Sequence, residues 1–268
     1  MKMKVRIFVI SPDSGITPEE LTITIESTSF KGVVKETCFG AMVEGDDAEV
    51  EELTEFIRSK FEYSVFSKER GYPIGDKRIC RAERGGGPRT GLYQIQYEAE
   101  LLPLISAALK ELKIKPGNSV RSKKVIIHPL NSLILADLIE RKGHIPLTAM
   151  SVIGKLVRDP SIDSPTRNIT PEDAIRGLRY LSVEMPSGIR GRLGAFRELI
   201  EEAEAAIICN YDISFGCGGC HHTDSLIYIV KSKGIPYLKI SLPRNVEEAK
   251  DFITKIEEFL GKVGDQQW

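Results

Sequence analysis

The sequence predicts an α/β protein of two modules: an N-terminal α+β module, consistent with a ferredoxin-like arrangement, over residues 1–114, and a C-terminal α/β module with a small parallel sheet over 125–268. Three observations predict it. Short β-branched runs alternate with helical spacing along the chain. Residues 115–124 interrupt that pattern with a charged, breaker-rich stretch around Pro116-Gly117-Asn118-Ser119, which marks a linker. Beyond it single strands alternate with single helices, the grammar of right-handed crossovers and parallel pairing.

In the first module, 5–10 is a β-rich run stopped by Ser11-Pro12-Asp13, hence a strand. Thr17-Pro18-Glu19-Glu20 opens a helix: Thr can cap, Pro suits the first turn and the acids suit its positive end. Strand-like residues return over 32–43. Residues 46–60 read as an amphipathic helix with Val50, Leu53, Phe56 and Ile57 inward, and 61–66 as a strand. A long loop over 68–91 follows, and 94–112 resumes helical spacing through Tyr97, Leu101, Leu104, Ile105 and Leu109.

In the second module, 125–128 is a strand and 129–142 a helix closed by Gly143, with a brief strand at 145–147. A polar connection over 159–170 leads to a helix opened by Thr170-Pro171-Glu172-Asp173. Helical spacing covers 191–203, a buried strand 205–209, a helix 222–233, a strand 236–240 and a closing helix 245–260.

The 268 residues carry 37 Lys+Arg against 38 Asp+Glu, with 41% hydrophobic residues, which excludes a disordered or coiled-coil chain as a whole. A formal charge of −1 offers no global field for nucleic acid or an acidic membrane, so any basic site is local. There is no opening signal segment and no apolar run of about 18 residues, which points to a cytoplasmic protein without a membrane partner.

Five cysteines are an odd count, and Cys209, Cys217 and Cys220 crowd into one short stretch, a poor plan for disulfides. Cys209 ends a predicted strand, and Cys217-Gly-Gly-Cys220-His221-His222 occupies the loop entering the next helix. In a parallel sheet this is the carboxyl edge, where ligands bind. Soft thiolates select an iron–sulfur cluster, zinc or copper(I). Three cysteines in a Gly-lined loop can hold three irons of a cubane, leaving the fourth for His221, another chain or a substrate. A Cys3His zinc site is the closest rival; a redox dithiol and plain structural thiols remain open. His128 ends the first strand of the module on the same edge, where a helix-capping role competes with ligand binding.

Between residues 68 and 91 seven bases, Lys68, Arg70, Lys77, Arg78, Arg81, Arg84 and Arg89, face three acids, Glu69, Asp76 and Glu83. With Gly85, Gly86, Gly87 and Pro88 between Arg84 and Arg89, the loop suits an anionic partner surface or a phosphate-bearing ligand, or is simply solvated. Arg190, Arg192 and Arg197 form a second basic patch that could embrace an anion or mark an exposed helix start. The acids between 44 and 55 read as a solvated helix face, and Cys38 and Cys80 as small buried side chains.

Family resemblances sit on these residues. The runs Ile10-Ser-Pro-Asp-Ser-Gly-Ile16, Lys35-Glu-Thr-Cys-Phe-Gly-Ala41, Phe66-Ser-Lys-Glu-Arg-Gly-Tyr-Pro-Ile-Gly75 and Arg84-Gly-Gly-Gly-Pro88 resemble methanogenesis marker protein 6. His128-Pro-Leu-Asn-Ser-Leu133, Glu140-Arg-Lys-Gly-His144 and the Cys217-Gly-Gly-Cys220 region resemble methanogenesis marker protein 5. The stretch from Cys209 through Gly234-Ile-Pro-Tyr-Leu-Lys-Ile240 is also similar to the cluster-binding domains of 2-hydroxyacyl-CoA dehydratases, although the chain lacks a full dehydratase architecture. The resemblance implies an archaeal methanogen and a role in maturation or activation of methyl-coenzyme M reductase, with that complex or its activation factors as partners. It hands over no reaction. The expectation is therefore an accessory factor holding an iron–sulfur cluster at Cys209, Cys217, Cys220 and His221, compatible with a centre shared across a homodimer. The rivals are a zinc- or thiol-dependent enzyme using the histidines for protons, and a metal-free scaffold gripping its partner with the basic loop.

Overall fold

The computed structural model describes residues 3–75, 92–114, 121–157, 170–210 and 219–265, with backbone alone at 92–93, 155–157 and 219–224. The chain divides into two compact units: Met1–Lys115 with Met150–Pro165 and Pro243–Ile253, and Pro116–Ala149 with Thr166–Leu242 and Thr254–Trp268.

The first unit runs β1 (Met3–Ile10), α1 (Pro18–Glu26), β2 (Val33–Thr37), β3 (Gly40–Asp46), α2 (Asp47–Phe61) and β4 (Val65–Glu69). The sheet is antiparallel with order β2-β3-β1-β4, which is the ferredoxin-like βαββαβ arrangement. The helix starts form as their residues dictate. Thr17 Oγ1 accepts the Glu20 N–H at 3.0 Å, and Asp46 Oδ1 accepts the Ala48 N–H at 3.2 Å. A two-residue turn, Cys38-Phe39, joins β2 to β3, and Gly40 follows with φ +143°, where a Cβ would lie 2.4 Å from the Phe8 carbonyl oxygen. Phe8 and Val43 on the sheet, Leu21 and Ile25 on α1, and Val50, Leu53 and Ile57 on α2 form the core. Val5, Ile7, Val9, Phe66 and Lys68, on the other side of the pleat, are also buried. Glu98, fully buried on α3 (Leu92–Leu112), attracts the Lys68 ammonium, which places that helix against this second face.

Several expectations shift here. The strand expected at 61–66 lies at Val65–Glu69, because α2 runs on to Phe61 and Glu62 turns the chain with φ +43°. Phe56 is 42% exposed; Thr54 and Arg58 take buried positions on α2 instead. Cys38, expected inside, is exposed because it sits in the β2–β3 turn. Lys68 is a buried strand residue rather than part of a solvated loop, and the Arg70 guanidinium donates to the Tyr72 carbonyl at 2.9 Å.

The second unit is built on β5 (Lys124–His128), β6 (Ile145–Leu147), β7 (Ala205–Asn210) and β8 (Tyr237–Ser241), all parallel in the order β6-β5-β7-β8. α4 (Leu133–Arg141) links β5 to β6 and is buried from Leu133 to Ile139. It starts later than expected because Ser132, whose Oγ accepts the Leu135 N–H at 3.1 Å, is the cap. Between β6 and β7 the chain forms α5 (Ala149–Val157), α6 (Pro171–Arg176), a 3-10 turn (Gly177–Arg179), α7 (Ser187–Ala195) and α8 (Arg197–Glu202). The single helix expected over 191–203 is thus two, broken at Phe196. The helix expected to open at Thr170-Pro171-Glu172-Asp173 does so, and Thr170 and Asp173 form a capping box at its start. α9 (Gly219–Lys233) joins β7 to β8, and α10 (Val246–Asp265) closes the chain. Among the described residues no helix is long and apolar enough to cross a membrane.

Candidate site at the carboxyl edge of the parallel sheet

The strand order fixes where ligands can enter. β6 lies on one side of β5, and β7 and β8 lie on the other, so the connections leaving β5 and β7 depart in opposite directions. The crevice left at their carboxyl ends is the usual ligand position of an open parallel sheet. His128 ends β5 in register with Ile208, and Cys209 and Asn210 end β7 opposite Ile240 and Ser241. Because β7 and β8 are parallel, α9 must run back from the carboxyl edge to the start of β8. Its first turn, which carries Cys220 and His221, therefore begins on that edge.

The sequence-derived ligands divide into those the structure places and those it does not. Cys209 is fully buried, and its thiol donates to the Asn210 carbonyl at 3.7 Å. Cys217 lies outside the described residues, as do the side chains of Cys220 and His221. Arg84, Gly85, Gly86, Gly87 and Arg89 of the basic loop also lie outside them, as does Cys80. Among the described residues no cluster of three or more His, Cys, Asp or Glu side chains is poised to hold a metal.

Electrostatics single out His128. Burial, with the Arg192 charge as the second cause, pushes its pKa down to about 4, so the ring is neutral at ordinary pH. Arg192, half-buried on α7, is therefore close enough to His128 to oppose its protonation. The remaining arginines of that patch go elsewhere. Arg190 donates to the carbonyls of Met185 and Ala174, both at 3.0 Å, and Arg197 is exposed. α7 is held against α6 by backbone contact: a Cβ on Gly194 would lie 1.9 Å from the Asp173 carbonyl oxygen, and one on Gly177 2.0 Å from that of Arg190.

The acidic run in the first unit is structural and solvated. Asp46 caps α2, Glu44 accepts the Ile74 N–H at 2.7 Å, and Asp47 and Glu51 flank Lys4 at 3.1 and 2.9 Å. Sequence reasoning missed the pairing of buried Lys68 with buried Glu98, which Gln94 supports through a 2.9 Å hydrogen bond. The only signal available was Lys68 following the apolar pair Val65-Phe66 at strand spacing.

Comparison with known proteins agrees with two modules. Residues 7–110 match a family described as an uncharacterized protein conserved in archaea (DUF2102), and residues 123–263 match a second family of the same description (DUF2112). Two similar proteins come from the methanogen Methanocaldococcus jannaschii. Uncharacterized protein MJ0404 is 53% identical over 147 residues, 54% of this chain and 98% of that protein. Uncharacterized protein MJ0498 is 37% identical over 150 residues, 55% of this chain and 89% of that protein. No solved structure matches the chain at the same stringency.

Proposed function

We propose, from the premise that this chain belongs to the archaea-conserved family DUF2112, that it is an accessory factor of methanogenesis whose rear module holds an iron–sulfur cluster for maturation or activation of methyl-coenzyme M reductase. The pathway part rests on the resemblance of the two halves to methanogenesis marker proteins 6 and 5 and on relatives in a methanogen. The site part rests on one observation: Cys209 ends β7 beside the reversal of strand order, on the edge where α9 begins with Cys220 and His221.

The donor set fits the group. Cys209, Cys217, Cys220 and His221 would hold it, and thiolates at a helix start gain from its partial positive charge. Metal-binding thiols must be deprotonated, so loading is expected to release protons and to weaken as pH falls. A cluster held there would supply low-potential one-electron transfer.

Anaerobic purification followed by iron, acid-labile sulfide and visible absorption measurements tests this. Wild type is expected to carry iron and sulfide, and C217S/C220S, which leaves buried Cys209 intact, to carry neither. Metal content unchanged in both C217S/C220S and C209S/C217S/C220S refutes the site. Stoichiometric zinc without sulfide replaces the cluster with the Cys3His reading.

A further inference from the structure

We propose that the first unit carries a docking surface, around Gly71 and Glu111, whose partner is a polypeptide of the DUF2112 family; in this chain the partner is its own C-terminal half. The surface does not depend on a metal at the cysteines.

The first unit is composite. Besides the residues before the linker it contains Met150–Pro165 and Pro243–Ile253, which lie within the stretch matched by DUF2112. The former brings nearly all of α5 and the latter the start of α10.

At Gly71 the packing is backbone on backbone. A Cβ there would lie 2.5 Å from the Met150 carbonyl oxygen and 2.7 Å from the Gly154 nitrogen, and one on Gly154 would lie 3.3 Å from the Gly71 Cα. Neither glycine adopts a positive φ, so close approach, not backbone conformation, is what excludes a side chain. The stretch around Gly71 is tied down on both sides, by the Arg70 N–H to the Val5 carbonyl at 2.8 Å and by the Ile74 N–H to Glu44 Oε2 at 2.7 Å. Met150 and Ile153 of α5, and Phe252 and Ile253 of α10, are buried. Glu111, at the end of α3, pairs with Lys250 of α10 and stays in contact with water. Buried apolar side chains together with a wet ion pair are the anatomy of a specific protein–protein interface.

The relatives give the surface its partner. About half of this chain spans 98% of MJ0404 and 89% of MJ0498, so proteins of roughly half its length stand alone in one organism. A chain with only the residues before the linker has neither α5 nor α10. Its Gly71 face is covered only when a second polypeptide supplies them.

Cutting the connection in the folded protein tests this. A protease site placed at 116–119 of the full chain is cleaved after purification, and sedimentation over a dilution series reads whether the two fragments stay together. They are expected to sediment as one species at micromolar concentration, like the uncut chain. G71V is expected to weaken association about tenfold or more, because its side chain overlaps backbone atoms that cannot swing aside. G71A, with a single methyl, takes its place if uncut G71V fails to fold by circular dichroism. G188A, where a Cβ meets nothing within 4 Å, is expected to match wild type. Fragments that part at micromolar concentration, although the uncut chain is folded, overturn the docking surface. So does a folded Gly71 variant whose fragments associate like wild type, since they would then hold together elsewhere.

Discussion

Gly194→Ala adds one methyl group to α7, and simple propensity would call it stabilising by up to about 1 kcal/mol. The packing reverses the sign. That methyl would sit 1.9 Å from the Asp173 carbonyl oxygen and 2.9 Å from the Gly177 nitrogen. Reaching ordinary contact near 3.4 Å asks α7 to retreat from α6 by roughly 1.5 Å. The retreat stretches the Arg190 bond to the Ala174 carbonyl on α6 and disturbs the carbonyl that accepts the Gly177 N–H. Overpacking costs about 1–3 kcal/mol and a weakened charged hydrogen bond about 1.5–3, so the net loss after a propensity gain of about 1 is about 1.5–5 kcal/mol. Urea denaturation followed by circular dichroism reads this directly. A midpoint unchanged or higher than wild type would refute the close approach of α6 and α7.

Lys68→Met leaves Glu98 buried without that lysine and is expected to cost about 3–5 kcal/mol, whereas K68M/E98L recovers most of the loss; additive single effects in the denaturation cycle would contradict the coupling. Burial holds Lys68 down to about 8, so the folded chain binds fewer protons than the unfolded one between there and the usual lysine value near 10.5. Stability should therefore rise with pH across that window in wild type and lose that component in K68M. His144 accepts the Lys123 N–H at 3.1 Å through Nδ1, and burial, the leading cause, holds its pKa below 6.5. The unfolded chain then takes up the proton first, so stability is full above pH 6.5 and falls as pH drops below it; H144N should flatten that slope in denaturation series at fixed salt.

The local grammar of the chain was legible where one residue type decides the outcome. Thr17 with Pro18, and Thr170 with Asp173, announce helix starts because a side-chain oxygen within reach of a free N–H works whatever surrounds it. The alternation of strands and helices after the linker was enough to predict parallel pairing. What escaped was decided at long range. Phe56 obeys helical spacing yet faces solvent, since the second unit of information needed is which stripe α1 and the sheet leave open. Lys68 looked like the start of a basic loop because charge normally means solvent; the negative charge of Glu98, thirty positions on and fully buried, helps to make its burial tolerable. At the site, the strand carrying Cys209 was foreseeable, whereas Cys220, expected in the loop before the helix, lies in the first turn of α9. The charge of Arg192 acting on His128 was not foreseeable, because it comes from α7, far along the chain from β5.

Cys209 is fully buried near the end of β7, and its thiol donates to a backbone carbonyl. A thiolate-held centre there would have to bring its own positive charge or find it in the surroundings. The start of α9 lies on the same edge, and a helix start carries partial positive charge. His128, at the end of β5, is held neutral mainly by burial, so it adds a polar group to that edge without adding a cation. Positive charge for a bound centre would therefore come from the centre itself and from the helix start, not from the histidine.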